Sequence, residues 1–318
     1  MKKIILKSDH APGDEVMLTG AVRDLVRGFA GQFEVDVRTR YPAIWFSNPW
    51  VTEIGPDEAD HLIEMHYPVF HKANQRGVHF VNGFQLYLQD SLGFQIPVRK
   101  FGGDLHLSDD EKGYRHPEIG TDKYWVFIAG GKWDFTCKWW HPDNMQVLVD
   151  ECRKSNITLV RLGDKDHWHP PLHGDNLIDL VGQTSLRESI LVTYRAAGVI
   201  CPVTFFMHVS AALPMPNGDE RPCVVIAGGR ETPAWEAYPT HRFLHNVGSY
   251  SCCRNKACWI NRCQVPPPGK DDFEEKGNRK LCHLPVEADD DTVIPKCMAD
   301  ITADVVMEAI HSYDHRYD

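Results

Sequence analysis

Apolar residues along this chain follow two alternating periods, one near 2 and one near 3.6, and each period predicts its own kind of element. The opening KKIILK is a short β-type run followed by the turn segment SDHAPGD. In the next stretch, EVMLTGAVRDLVRGF, residues Val16, Leu18, Val22, Leu25, Val26 and Phe29 roughly keep a helical period. This predicts a strand, a Gly-containing loop and a helix. FEVDVRT alternates like a strand, DHLIEMHY reads as another, and VHFVNGFQLYLQDSLGF reads as an amphipathic helix. Repetition of strand and helix predicts a parallel sheet covered on both faces.

From Phe101 to Gly120 the chain turns polar and Gly-rich without a sustained apolar period, which places a domain junction there. The alternation restarts with KYWVFIAGG as strand, PDNMQVLVDECRK as helix, NITLVRLG as strand and SLRESILVTYRAAG as helix. VICPV, FMHVSAALP and PCVVIAGG continue it. The reading is therefore an α/β fold of two domains, residues 1–118 and 119–318. The second carries a Cys-rich segment, 252–297, and a closing helix over ITADVVMEAIHSYDHRY with Thr302 as its N-cap. Two such halves leave a cleft at the carboxyl ends of their strands, where open α/β sheets bind ligands.

Composition narrows the function. Lys and Arg number 34 against 44 Asp and Glu, a formal charge of −10, so the whole-chain field repels phosphate backbones and nucleic acid is a poor partner. No apolar run approaches the about 20 residues that cross a bilayer. The start, MKKIILKSD, is too briefly apolar for a signal-peptide core, so the expectation is a soluble, cytoplasmic protein. Of ten cysteines, Cys137, Cys152, Cys201 and Cys223 are scattered singly and read as ordinary buried thiols. Cys252, Cys253, Cys258, Cys263, Cys282 and Cys297 crowd into the last quarter, which favours a metal site over disulfides.

Three constellations carry candidate chemistry. Gly13 and Asp14 lie between the first strand and helix, where glycine permits close approach and the helix dipole favours the carboxylate; Asp14 is a candidate general base, or more plainly an N-cap. In AGGKWDFTCKWWHPDN, Gly130 and Gly131 with Lys132 and Lys138 could cradle a pyrophosphate, although neither a Walker nor a Gly-x-Gly-x-x-Gly spacing is present. Later come Thr204, His208 and the strand end Gly228-Gly229-Arg230-Glu231, where Glu231 could accept hydrogen bonds from a ribose or sugar hydroxyl. Asp164-Lys165-Asp166 and Asp289-Asp290-Asp291 read as polar loops. His167, His169 and His173 read as exposed histidines, and Trp45, Trp50, Tyr67 and Phe84 either line an acceptor groove or pack a core.

This arrangement resembles glycosyltransferase family 9, the ADP-heptose heptosyltransferases of GT-B fold. APGDEVMLTGAVRDL is similar to their opening loop and helix, KWW around Lys138 to their lysine segment, and TSLRESILVTYRAAGVI and TFFMHVSAAL to later donor-domain segments. The likeness runs in order through most of residues 1 to 248. The tail, with Cys253, Cys258-Trp259, Cys282 and CMADIT at Cys297, is similar to the iron-binding cysteine motif of bacterial autotransporter heptosyltransferases.

The resemblance implies two Rossmann-like domains, an acceptor-side domain at 1–118 and a nucleotide-sugar domain at 119–318. It implies Asp14 as the base on the acceptor hydroxyl and Lys138 as the charge that stabilises the leaving diphosphate. The donor would be a nucleotide-sugar such as ADP-heptose, and the acceptor a glycan or protein; a homo-oligomer is compatible with it. One departure stands out: where the family has Asp-Thr-Gly ahead of its His, this chain has Val203-Thr204-Phe205. A non-catalytic sugar-nucleotide-binding or assembly protein is the alternative that this loss raises. With one base and no second carboxylate for a covalent intermediate, transfer is expected to invert the anomeric centre. The preferred metal set is Cys253, Cys258, Cys282 and Cys297, holding a structural Fe or Zn; Cys252 and Cys263 are left over and either could take a place in it.

Overall fold

The computed structural model describes residues 1–67, 77–121, 123–254, 256–267, 280–289 and 291–313. It consists of two compact units. Unit 1 comprises Met1–Tyr114, Thr204–Glu220 and Ala234–Tyr238; unit 2 comprises Arg115–Val203, Arg221–Pro233 and Pro239–Asp318. In chain order the main elements are β1 (Lys2–Ser8), α1 (Pro12–Gly28), β2 (Phe33–Thr39), β3 (His61–Glu64) and α2 (Phe80–Leu92). Next come β4 (Tyr124–Phe127), α3 (Pro142–Lys154), β5 (Thr158–Arg161), β6 (Leu177–Asp179), α4 (Leu186–Arg195) and β7 (Gly198–Pro202). The chain then forms α5 (Phe205–Ala212), β8 (Cys223–Gly228), β9 (Arg242–His245), β10 (Pro285–Glu287), β11 (Val293–Pro295) and α6 (Ala303–His311).

In unit 1 a parallel sheet of order β2-β1-β3 puts β1 in the centre. Ile4, Ile5 and Leu6 are buried in succession, as a strand covered on both faces requires. Helix α1 begins with Pro12, whose fixed φ suits the first turn and whose missing N–H would have had no partner there. A β-carbon on Gly20 would lie 2.3 Å from the Gly102 carbonyl oxygen, so only glycine lets this segment rest on α1. The small-residue helix α5 also packs against α1, which is how Thr204–Glu220 becomes part of this unit.

Unit 2 is built on a six-stranded parallel sheet of order β6-β5-β4-β7-β8-β9. The chain leaves β4 in one direction through β5 and β6, then returns to its other side with β7, β8 and β9. The order therefore reverses between β4 and β7, and the loops after those two strands open at the switch point where such sheets bind ligands. Trp139 and Trp140 follow the first loop into the core, and the Trp140 indole N–H donates to the Ile301 carbonyl at 2.7 Å. Ser185 caps α4 reciprocally with Glu188. Thr302 stands at the N-cap of α6 as expected, but its side chain makes no capping hydrogen bond.

Most of the loop from Pro266 to Lys280, Asp290 of the acidic run, and the chain after Tyr313 lie outside the described residues. Among the described residues no helix is long and apolar enough to cross a membrane.

Candidate functional site

Two groups of side chains stand out, one in each unit. In unit 1 the loop after β1 delivers the start of α1. Asp14 lies in the first turn, three residues after the N-cap Ala11, and accepts that residue's N–H at 3.2 Å. The Tyr67 phenol lies beside it and is pushed well above its ordinary range, first by burial and then by the Asp14 charge and hydrogen bond. Gly13 faces His208: a β-carbon there would come 2.9 Å from the His208 ring, so glycine keeps room for the imidazole. His208 Nδ1 pairs with the Tyr238 hydroxyl at 2.8 Å, and Nε2 lies 3.7 Å from a Glu236 carboxylate oxygen. Unit 1 thus gathers an aspartate, two phenols, an imidazole and a second carboxylate. Thr204, at the start of α5, carries a buried hydroxyl with no hydrogen-bond partner among the described residues.

Behind Asp14, Glu15 turns the other way and is fully buried. It accepts from the Ser8 hydroxyl and, at 3.2 Å, from the Trp45 indole. Burial pushes its carboxyl up to about 7, although hydrogen bonds from Ser8, Trp45 and Thr39 pull the other way. Of the four aromatics weighed as an acceptor groove, Trp45 serves this buried acid and Phe84 is in the core. Trp50 bonds Asp104 at 2.7 Å, and Tyr67 joins Asp14.

In unit 2 the loop after β4 carries the glycines and lysines. The Gly131 N–H donates to the Trp168 carbonyl at 3.0 Å, and a β-carbon on Gly130 would meet that same oxygen at 2.1 Å; these glycines seat the 168–169 segment. Lys132 then opens a tight 3-10 turn, Trp133–Lys138, that delivers Lys138. The Lys138 ammonium donates to the Val203 carbonyl at 3.1 Å, so the loops after β4 and β7 meet at this lysine. It also pairs with Glu231 at 3.0 Å, and Glu231 pairs with the adjoining Arg230. The Phe135 ring lies 5.4 Å from the Lys138 ammonium and 5.1 Å from the Arg230 guanidinium. Glu231 is only 2% exposed, and its Oε2 is buried without a hydrogen-bond partner among the described residues.

Cysteines surround this cluster in a pattern the sequence reading did not anticipate. The sulfurs of Cys253 and Cys297 lie 3.3 Å and 3.4 Å from where a β-carbon on Gly229 would sit, and the Cys258 N–H donates to the Gly229 carbonyl at 3.2 Å. Gly228, at φ +61°, has no room for a side chain beside Met298 and Cys297. Cys282 instead sits with Cys137 and Cys263: bonds to the Cys263 and Cys282 sulfurs, then burial, hold the Cys137 thiol up, while donation from Cys137 and Cys263 pulls the Cys282 thiol down. Cys137 is therefore not the isolated thiol expected. Among the described residues no group of three or more His, Cys, Asp or Glu is placed to hold a metal ion. Cys258 and Cys282 pack against the Cys137–Cys263 cluster, and Cys297 interacts electrostatically with both, but the four proposed ligands are not assembled as a metal shell among the described residues, and no chemical step is derived from a metal.

The remaining motifs resolve as loops. Asp164 Oδ1 accepts the Asp166 N–H at 2.9 Å, a local turn. Both His169 ring nitrogens face carbonyl oxygens, those of Ala129 and Asp164. Glu236, Tyr238, Glu15 and Cys137 are the site residues that sequence reasoning missed. Only Cys137, directly before Lys138, carried a local signal.

No family model matches the chain, and no curated protein matches it in sequence. Solved structures do match. A glycosyl transferase family 9 protein from Veillonella parvula DSM 2008 aligns at TM-score 0.65 and 13% identity over 98% of this chain and 96% of that one. The iron-containing dodecameric heptosyltransferase TibC of enterotoxigenic E. coli H10407, also solved with ADP-D-beta-D-heptose, aligns at 0.65 and 14% identity over 100% of this chain and 77% of that one. The ADP-heptose LPS heptosyltransferase II of E. coli aligns at 0.58 and 14% identity over 98% of both chains. These likenesses show that the chain has the α/β fold with parallel sheets of the GT-B glycosyltransferases.

Proposed function

We propose that this protein is an inverting glycosyltransferase that moves a sugar, heptose or a relative, from a nucleoside-diphosphate donor to a hydroxyl of a glycan or protein acceptor. Asp14 takes the proton from the acceptor hydroxyl. That oxygen attacks the anomeric carbon, and the bond to the diphosphate breaks with its electron pair going to the leaving phosphate. Lys138 neutralises the charge that builds there. Thr204, His208, Gly228 and Gly229 are proposed to contact the donor, and domains at 1–118 and 119–318 to serve acceptor and donor. The observation that carries this reading is Lys138 itself, a lysine fixed at the switch point of a parallel sheet whose fold is shared with sugar-nucleotide enzymes.

The test is transfer from a panel of nucleotide-sugars, ADP-heptose first, by wild type and Asp14→Asn. Loss of the base is expected to slow transfer by about 10² to 10⁴ without changing the melting temperature. Unimpaired transfer by Asp14→Asn would remove Asp14 from the mechanism; nucleotide binding with no turnover by the wild type would make the chain a binding protein. A structural Fe or Zn on the tail cysteines, and a homo-oligomer, are separate proposals. Metal analysis with melting before and after chelation decides the first, because a structural site adds its binding energy to folding. A metal-free protein, or an unchanged melting temperature after chelation, ends it.

A further inference from the structure

The cysteine-rich segment does more than close the fold, because two of its residues bear directly on Arg230 and a third on the glycine before it. Asn261 Oδ1 accepts from the Arg230 guanidinium at 2.6 Å. The Trp259 ring lies 5.3 Å from that guanidinium, and the Trp259 N–H reaches the Arg230 carbonyl at 3.4 Å. The Cys258 N–H holds the Gly229 carbonyl immediately before it. The segment is fastened in turn to the loop that carries Lys138: the Cys137 N–H donates to the Asn261 carbonyl at 3.0 Å, and the Cys263 N–H to the Thr136 hydroxyl at 2.7 Å.

Trp259 supplies a second, independent sign. Its φ is +56°, a left-handed conformation that disfavours a bulky side chain and persists only when the surroundings impose it. What that backbone achieves is an indole beside a buried guanidinium. Two cations, Lys138 and Arg230, both face Phe135 and the Glu231 carboxylate. Glu231 also keeps one oxygen without a hydrogen-bond partner among the described residues. An arginine forks onto phosphate oxygens where a lysine supplies a point charge, so the pair suits a diphosphate better than either alone.

We infer that the stretch 258–263 of the cysteine-rich segment is a wall of the donor-diphosphate seat, in which Trp259 and Asn261 are positioning residues that hold Arg230 as a second cation beside Lys138. The inference rests on the donor-site role proposed for Lys138. Glu231 is the shared counter-charge that keeps both cations in place before a nucleotide arrives.

Calorimetric titration of the full chain with ADP and with AMP tests this, with melting temperatures recorded for every variant. Asn261→Ala and Arg230→Lys are each expected to weaken ADP binding by about three- to tenfold and AMP binding by less, since the defect falls on the diphosphate. Trp259→Gly relieves the left-handed backbone while removing the indole, so ADP affinity should fall at little cost in melting temperature, and Trp259→Phe should restore most of it. ADP affinity within twofold of wild type in Asn261→Ala and Trp259→Gly, with Lys138→Ala still weakening it, overturns the role of the segment alone. A wild type that does not bind ADP, or a Lys138→Ala variant that binds like wild type, overturns the donor-site reading and this inference with it. Equal loss of AMP and ADP affinity would mark Trp259 and Asn261 as merely structural and also overturn it.

Discussion

Glu15 in unit 1 and Glu231 in unit 2 are both almost inaccessible carboxylates next to a residue assigned chemistry, yet their surroundings are opposite. Glu15 meets neutral donors, the Ser8 hydroxyl and the Trp45 indole. Glu231 meets Lys138 and Arg230. Burial disfavours a lone charge, so Glu15 can shed its cost by taking up a proton, and its carboxyl rises to about 7. Glu231 meets the same cost with two cations in place of a proton. The first region is organised around hydrogen bonds that tolerate neutrality, and the second around charges that must stay in balance.

The largest expected effect comes from breaking the ionic region. Glu231→Gln keeps the shape and removes the carboxylate charge that the buried Arg230 and the partly buried Lys138 both face. Removal of one partner from a buried pair costs about 3 kcal/mol or more, roughly 6 to 12 °C of melting temperature for a unit of this size. Thermal unfolding followed by circular dichroism measures it. A loss below 1 °C would mean that Glu231 does not hold the cations, and the contrast with Glu15 would disappear.

The sequence carried the elements of this comparison unevenly. The loops holding Asp14 and Lys138 were legible because each follows an apolar β run and precedes a helical period, and carboxyl ends of such strands are where ligands bind. The pairing of Lys138 with Glu231 was not, since it depends on β7 and β8 returning to the far side of β4. Glu236 and Tyr238 reach His208 only because a short stretch of chain rejoins unit 1 after β8. Cys137 was set aside as an isolated thiol, because nothing local shows that the tail cysteines fold back onto the loop before Lys138. Thr302 shows the reverse limit: its position was legible, but the capping bond its side chain could make is absent.

A smaller effect, of opposite sign, is expected from Glu15→Gln. The folded carboxyl titrates near 7 against about 4.5 when unfolded, so the fold favours the protonated form. The stability this contributes is complete below the unfolded value and is lost as pH rises through 7. Wild type should therefore melt progressively lower between pH 5 and 8. Glutamine is permanently neutral and still accepts from Trp45, so that decline should flatten and the variant should be more stable at pH 8 by about 2 kcal/mol. Parallel melting curves of the two proteins across this range would show that Glu15 is charged in the fold after all.

The finest test removes a single donor from the neutral region. Trp45→Phe keeps most of the ring but deletes the indole N–H, one of the bonds that favours the Glu15 anion. Its loss lifts the carboxyl further, so below pH 6, where the acid is already protonated, the variant should pay only for altered packing. Above pH 7 the wild-type anion keeps that hydrogen bond and the variant's does not. The stability gap between them should widen by about 0.5 to 1 kcal/mol from pH 6 to pH 8. Differential scanning calorimetry at the two pH values reads this directly, and a gap of constant size would place the titrating group elsewhere in unit 1. In the ionic region the carboxylate is met by Lys138 and Arg230 and not by neutral donors. The pH dependence of the Trp45→Phe gap therefore separates the two kinds of buried acid without perturbing either cation.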